Sequence, residues 1–243
     1  MTGLRERSRA KELMDTERVD LATFEACLKD LERINRWTGA YRITLRWVER
    51  LRTVHGLRRL VLVDVGSGYG DMLRRIAAWG EARGVALDLI GVDLNPHAAT
   101  LAARATPPMP AVRPAPAIRY LTADVFELSP ALCPDAVISA LFAHHLDDEQ
   151  LVHFVRWMEA SARLGWLIND LHRHPLAYGI ARWVPRLLRM NRLVRHDAAV
   201  SVARSFARRD WERLLAEAGV AGAPTTLSWC FPFRYAVARI KAR

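Results

Sequence analysis

The sequence predicts an α/β fold in which helices cover a mostly parallel sheet. Apolar runs of strand length recur along the chain, and the runs at 60–64 and 85–93 each end in an acidic residue. Segments with the apolar spacing of helices separate these runs, and such alternation is typical of parallel sheets. Alternating glycines follow the first run, at the point where the chain must leave a strand and start a helix.

The glycine segment is the most informative part of the chain. Gly66, Gly68 and Gly70 allow a tight turn and a close approach of the backbone to a ligand, and the next helix offers free N–H groups. A dinucleotide-binding loop has a small residue where this chain has Asp71, and that carboxylate would repel a pyrophosphate. The spacing therefore disfavours a dinucleotide.

The loop carries a family resemblance. Asp64 followed by Gly66-Ser67-Gly68-Tyr69-Gly70 resembles motif I of the class I S-adenosylmethionine-dependent methyltransferases. The resemblance implies that the loop, Ser67 included, cradles the methionine part of S-adenosylmethionine, which becomes S-adenosylhomocysteine, and that Asp64 lies near its amino acid end. An acid suits a ligand that carries an ammonium and a sulfonium group.

Two further acids extend the resemblance. The predicted strand 85–94 ends at Asp93, where a carboxylate can accept two hydrogen bonds from ribose hydroxyls. The family implies this role for Asp93, with Leu94 beside it as a further cofactor contact. After a third short strand, 117–121, the resemblance implies that Asp124 receives the adenine amino group and that the walls of the ring site are Val125 and Phe126.

The fourth predicted strand, 134–141, ends where class I enzymes place the transferable methyl group. The segment that follows resembles the ubiquinone and menaquinone biosynthesis methyltransferases and the plant phenolic O-methyltransferases, whose histidine is the general base. His144 takes that place, and a histidine suits removal of a phenolic or enolic proton. His145 stands where the plant enzymes have an acid, and we expect it to contact substrate.

Two helical segments outside the cofactor motifs are expected to cover the site. In the first, within 1–58, Gly39 separates two helices, and the candidates for lid contacts are Trp37, Tyr41 and Arg42. We expect Tyr41 to contact substrate and Arg42 to pair with the cofactor carboxylate; a core aromatic and a solvated arginine are the alternatives.

The second segment, 172–205, is an insertion with an apolar helical face at Ile180, Trp183, Val184, Leu187 and Leu188. This face is expected to form the inner wall of a lid, although weak contact with a membrane surface is a rival interpretation because arginines flank it. The substrate-pocket candidates are His172, His174, Tyr178 and Trp183.

The remaining strands complete the predicted architecture. A fifth strand covers 165–171, and two more, 225–231 and 233–240, match the closing antiparallel hairpin of class I methyltransferases. The resemblance thus implies a Rossmann-like seven-stranded sheet, mostly parallel, within a single methyltransferase domain, 1–243. Its core is expected at 59–171 and 206–243.

Composition limits the partners. The net charge of +10 comes almost entirely from arginine, since the chain has three lysines, and it is scattered along the sequence, so nucleic acid is not the expected partner. Three cysteines far apart, with no metal-ligand spacing, predict a reducing compartment and no metal. The sequence shows neither a leader segment nor a membrane span, and we expect a cytoplasmic monomer or homodimer.

The expected function is methyl transfer to a small, largely apolar natural product, with oxygen as the acceptor atom and His144 as the base. A weaker resemblance, carried by 12–15, 33–39 and 196–206, is to a bacterial methyltransferase subgroup associated with polyketide gene clusters. N- or C-methylation and a non-catalytic cofactor-binding subunit remain alternatives. A nucleic-acid amine methyltransferase is disfavoured, because Ser139-Ala-Leu-Phe142 replaces the motif that such enzymes carry.

Overall fold

A computed structural model describes residues 4–107, 117–128 and 132–242, and its centre is a seven-stranded sheet. The strands lie in the order β3-β2-β1-β4-β5-β7-β6. Their bounds are β1 (Arg59–Val65), β2 (Ala86–Asp93), β3 (Ala117–Thr122), β4 (Ala136–Ala140), β5 (Gly165–Leu171), β6 (Thr225–Cys230) and β7 (Arg234–Ile240).

Strands β1 to β5 pair in parallel, whereas β7 is antiparallel to both β5 and β6. The predicted fold class, with its closing antiparallel hairpin, is therefore confirmed. The chain leaves β1 in one direction to reach β2 and later returns to place β4 on its other side. Ligands of open α/β sheets bind at such a switch point, outside the carboxyl ends of the strands.

Helices surround the sheet and follow the predicted segments closely. Gly39, at φ 65°, separates the two N-terminal helices as expected. The helix bounds are α1 (Leu13–Thr16), α2 (Leu21–Trp37), α3 (Ala40–His55), α4 (Asp71–Arg83), α5 (Pro96–Ala105), α6 (Asp148–Ser161), α7 (Pro175–Leu187), α8 (Arg192–Arg204) and α9 (Arg208–Glu217).

The core has one apolar cluster on each face of the sheet. One face packs α6 and α9 against β4, β5 and β7 around Trp166 and Trp211, both fully buried. The other packs α3 and α4 against β1 and β2, with Leu62 and Ile76 fully buried. Strands covered on both faces read as continuous apolar runs, which is why they could be recognised in the sequence.

The insertion after β5 forms α7 and α8, and the two differ in how they pack. Helix α8 contacts α1 and α2, so the insertion and the first two helices pack together as one unit. In α7 the predicted apolar face points outward, since Trp183 is 64% and Leu187 81% exposed. The expectation that this face lines the inside of a lid stays a prediction. None of the described helices is long and apolar enough to cross a bilayer.

Candidate functional site

The glycine loop joins β1 to α4, and its three glycines all have positive φ: 71° at Gly66, 50° at Gly68 and 70° at Gly70. A Cβ added to Gly66 would lie 2.9 Å from the ring of Phe142, so tight packing demands a glycine there. A Cβ on Gly68 would meet nothing closer than Leu28, at 4.0 Å. The backbone of Gly68 therefore faces open space, where a ligand can approach it.

Asp64 lies just before the loop and is almost completely buried. Burial, together with the negative charges of Asp71 and Asp93, raises its pKa well above the usual range. Such a carboxylate favours a cationic neighbour, because a positive charge would offset both effects. The expected position of Asp64 near the ammonium end of the cofactor stays a prediction.

Asp93 ends β2 and faces the glycine loop. Its two oxygens accept hydrogen bonds from the backbone N–H groups of Gly68 and Asn95, each at 2.9 Å. Burial raises the pKa of Asp93, although these two bonds oppose the rise. The carboxylate is thus fixed next to the open face of Gly68, where a ribose is expected, whereas the side chain of Leu94 is mostly exposed.

The predicted adenine site lies at the end of β3. Asp124 caps a short 3₁₀ turn by accepting a hydrogen bond from the N–H of Phe126, and Val125 within that turn is buried. The ring of Phe126 stacks on His153 at a centroid distance of 4.3 Å. The turn thus places an acceptor and two apolar side chains together, and their expected contact with adenine stays a prediction.

Tyr41 and Arg42 begin α3 but point to different surroundings. Tyr41 is buried and donates a 2.5 Å hydrogen bond to Asp71, the first residue of α4. Burial, and next the charge of Asp71, raise the pKa of Tyr41. Its hydroxyl therefore links α3 to the first residue of the helix that follows the glycine loop. Arg42 is exposed and forms no ion pair with any described carboxylate, so its expected role toward the cofactor stays a prediction.

His144 lies in a 3₁₀ turn after β4, two residues beyond Phe142, and is 3% exposed. Its Nδ1 is 2.7 Å from Oδ1 of Asp170, and its backbone N–H donates to Oδ2 of the same carboxylate. Its Nε2 lies 3.5 Å from Oε1 of Glu12. Burial alone lowers the pKa of His144, but the charges and hydrogen bonds of Asp170 and Glu12 raise it to about 10.

Glu12 comes from the segment before α1 and is also buried. Although burial raises its pKa, the hydrogen bond and charge of His144, the charge of His145 and a 2.8 Å hydrogen bond from Ser201 bring it down to about 2. His145 bridges Asp15, at 2.9 Å, and Glu12, at 3.8 Å. Both histidines thus direct Nε2 toward the carboxylate of Glu12.

A sequence model of the family described as a methyltransferase domain matches residues 62–165, which include the glycine loop, Asp93, Asp124 and His144. The sheet order and the closing hairpin agree with that family. Residues 62–165 of this chain therefore form a methyltransferase domain. No curated protein matches its sequence significantly.

Solved structures share the fold of this methyltransferase. Magnesium protoporphyrin IX methyltransferase from Synechocystis PCC 6803 with bound S-adenosylmethionine is 16% identical over 84% of this chain and 81% of its own, with a TM-score of 0.54. The plantazolicin methyltransferase BpumL with a substrate analogue and S-adenosylhomocysteine is 12% identical over 89% and 90%, with a TM-score of 0.66.

A third similar structure is human N-acetylserotonin methyltransferase with S-adenosylmethionine. It is 13% identical over 92% of this chain and 57% of its own, with a TM-score of 0.61. At these identities the three structures show that the fold is shared. The ligands they contain are properties of those proteins.

Two residues of the methyltransferase site were missed in the sequence. Asp170 could have been found, because it is the penultimate residue of β5, as Asp64 is of β1, and Asp93 is the last residue of β2. Glu12 had no such signal, since it precedes a helix of four residues and its partners lie more than a hundred positions away. The site thus includes a carboxylate that only the tertiary structure reveals.

The cluster of Glu12, His144 and His145 could hold a metal ion, because one ligand atom from each lies within 4.8 Å of the others. Asp170 and Asp15 bind the Nδ1 atoms of the two histidines, as carboxylates often do behind metal ligands. Charged hydrogen bonds among these residues explain the same contacts without a metal ion. The absence of a metal stays a prediction.

The four substrate-pocket candidates of the insertion fall into two groups. His172 and His174 pack against the β6–β7 hairpin: Trp229 Nε1 donates to Nδ1 of His172 at 3.2 Å, and His174 stacks on Phe233 at 5.0 Å. Tyr178 is half-buried, and Trp183 is exposed on the outer face of α7. The two histidines follow β5 and so lie at the sheet edge of the site, whereas the expected contact of Trp183 with substrate stays a prediction.

Proposed function

We propose that this methyltransferase transfers the methyl group of S-adenosylmethionine to an oxygen atom of a small, largely apolar natural product. The names of three structural relatives specify a porphyrin, plantazolicin and N-acetylserotonin, which supports a small-molecule acceptor. The observation that carries the choice of oxygen is the buried Asp170–His144 pair beside the glycine loop. Transfer to a phenol or enol requires loss of a proton, and this pair can receive it.

The cofactor in this proposal lies along the carboxyl edge of β1, β2 and β3. Asp64 attracts its ammonium group, the backbone of Gly68 contacts its methionine part, and Asp93 accepts hydrogen bonds from the ribose. Asp124 receives the adenine amino group, while Val125 and Phe126 flank the ring. The open face of Gly68 and the buried carboxylate of Asp64 support these assignments.

The proposed reaction is an in-line displacement. The acceptor oxygen forms a bond to the methyl carbon as the carbon–sulfur bond breaks, and the sulfonium becomes the neutral thioether of S-adenosylhomocysteine. The hydroxyl proton passes to Nε2 of His144, and Asp170 stabilises the resulting imidazolium. Positioning the acceptor and excluding water supply the rest of the rate enhancement.

The protonation state of His144 sets a condition on this reaction. With its pKa near 10, the ring is charged at neutral pH in the acceptor-free protein. An acceptor hydroxyl that enters between Nε2 and Glu12 weakens one of the two carboxylate interactions that hold this proton. The base form then becomes accessible, so Glu12 controls when His144 can accept a proton.

The test uses methyl-labelled S-adenosylmethionine with a panel of phenols and enols, followed by mass spectrometry. We expect the label on oxygen, and we expect His144→Ala to lower turnover by about 10²- to 10⁴-fold, the usual contribution of a general base. Binding of S-adenosylhomocysteine to this variant should stay within about twofold of wild type.

The matched control is His153→Ala, which removes a histidine that stacks on Phe126 and has no place in the proton path. Label found on nitrogen or carbon would refute the choice of oxygen. Full turnover of His144→Ala on a labelled phenol would refute the base assignment.

A further inference from the structure

Arg234 begins β7, opposite Leu171 of β5, at the same sheet edge as the site. It is 2% exposed, which is unusual for an arginine. Its Nη2 lies 3.4 Å from Oδ1 of Asn35 and 3.4 Å from Oγ1 of Thr38, both long contacts to neutral groups. Its Nε and Nη1 have no hydrogen-bond partner among the described residues.

No described carboxylate lies within ion-pair distance of this guanidinium. The ionisable side chains that act on it are Asp170, Cys230 and Tyr41. Asp170 is already committed, since its two oxygens accept from His144 and from the N–H of Leu171. The hydroxyl of Tyr41 is committed to Asp71. The oxygen atoms of Asp170 and Tyr41 are therefore occupied by other bonds.

A buried charge without a partner is costly for a folded protein. Burial lowers the pKa of Arg234, but only to about 10, so the guanidinium stays charged at neutral pH. Unpaired polar groups in protein interiors call for a specific explanation. Nη1 and Nη2 lie side by side at the end of the guanidinium, and because the contacts of Nη2 are long, these two groups can together bind the paired oxygens of a carboxylate.

We propose that Arg234 binds a carboxylate carried by the methyl acceptor, an inference that rests on the proposed function. β7 is three strands away from β1, about 14 Å at the usual strand spacing, whereas the amino acid end of the cofactor is expected at Asp64 on β1. Asp170, which holds His144, lies on the strand beside Arg234. Arg234 pairs with Leu171, so its side chain leaves the sheet on the face opposite to that of Asp170, and an acceptor that crosses this edge with its hydroxyl at His144 would bring an acidic group to Arg234.

The acceptor class that follows is a hydroxylated aromatic or enolic acid with a largely apolar skeleton. Such a ligand joins the carboxylate that Arg234 needs to the hydroxyl that His144 needs. Arg234 then acts in specificity: it selects acids over otherwise identical neutral molecules and fixes the direction in which the acceptor enters.

The test is calorimetry on protein saturated with S-adenosylhomocysteine, with two probes that differ only in one group: naphthol and its ortho-carboxylate, hydroxynaphthoate. Wild type should bind hydroxynaphthoate at least about tenfold more tightly than naphthol. Arg234→Met should remove this preference, and Arg234→Lys, which keeps the charge but loses the fork, should retain part of it. The control is Arg59→Met, an exposed arginine at the opposite end of β1, which should keep the full preference.

Equal binding of the two probes by wild type overturns the proposal, and so does an unchanged preference in Arg234→Met. If Arg234→Met loses S-adenosylhomocysteine binding while the preference remains, the anion is the cofactor carboxylate, and the acceptor assignment is wrong. If Arg234→Met does not fold, the preference for hydroxynaphthoate over naphthol in wild type and in Arg234→Lys decides whether the proposal holds. These measurements need no methyl transfer, so a failure to find O-methylated product would refute the proposed function and leave this site standing.

Discussion

At the scale of single residues, ligand binding at the glycine loop depends on which glycine has room beside its backbone. Gly66 and Gly68 share the same backbone conformation and the same motif, yet Gly66 is closed off by Phe142 and Gly68 is open. Asp93 supports the open glycine by accepting a hydrogen bond from its N–H. The motif in the sequence treats the glycines alike, and only the structure separates a packing role from a ligand-binding one.

This difference predicts that alanine at the two glycines has different effects. Gly66→Ala adds a steric clash to the strain of a positive φ, so the free energy of unfolding should fall by about 2–4 kcal/mol. Gly68→Ala should cost only about 1–2 kcal/mol, the strain alone. Urea unfolding without ligand measures both values.

Ligand binding should show the complementary result. The new methyl group of Gly68→Ala occupies the space where the cofactor approaches, so calorimetry should show a loss of S-adenosylhomocysteine affinity of at least about tenfold in a protein that still folds. Wild-type affinity in Gly68→Ala would mean that the cofactor does not contact this part of the loop.

At the scale of elements, the strands and the two N-terminal helices were predictable and the long-range contacts were not. Strand bounds agreed to within about two residues, because runs such as β1 and β2 are buried on both faces and flanked by glycine or acid. The outward face of α7 was not predicted, since periodicity shows that apolar residues share a face but not what the face contacts. Glu12 was missed for the same reason, as its role depends on residues distant in the sequence.

The contact of the N-terminal segment with His144 predicts a shifted pH profile. Glu12→Gln removes a negative charge 3.5 Å from Nε2, so the pKa of His144 should fall below its value of about 10. Turnover, which needs the neutral ring, should then begin to rise at lower pH than in wild type. The profile of kcat/KM and the NMR titration of the His144 ring measure this shift.

A control for this variant is Glu17→Gln. Glu17 lies in the same segment as Glu12 and pairs with Arg192 on the surface. The pH profile of this control should match that of wild type. An unshifted profile in Glu12→Gln would show that Glu12 does not hold the proton on His144.

At the scale of the whole molecule, the Glu12–His144 pair links folding to pH. Glu12 has a pKa lowered from 4.5 to about 2, so its contribution is present above pH 4.5 and is lost as the pH falls toward 2. His144 has a pKa raised from 6.5 to about 10, so its contribution is present below pH 6.5 and is lost as the pH rises toward 10. The two contributions coincide between about pH 4.5 and 6.5.

Thermal unfolding across this range should show the consequence. The melting temperature of wild type should decline steadily from pH 6.5 to 10. In His144→Gln the overall stability should be lower, because two buried carboxylates lose their partner, but the decline over this interval should be shallower. A wild-type protein that is equally stable at pH 6.5 and 10 would contradict the raised pKa.

The hydrogen bond from Ser201 to Glu12 spans 189 positions of the chain, and its consequence concerns the order of events during folding. Contacts between such distant segments form late, because the entropy of closing a long loop must be overcome first. The parallel sheet can assemble around the glycine loop before Glu12 reaches His144. A refolding chain should therefore regain its secondary structure ahead of its activity, with catalysis appearing only in the last kinetic phase.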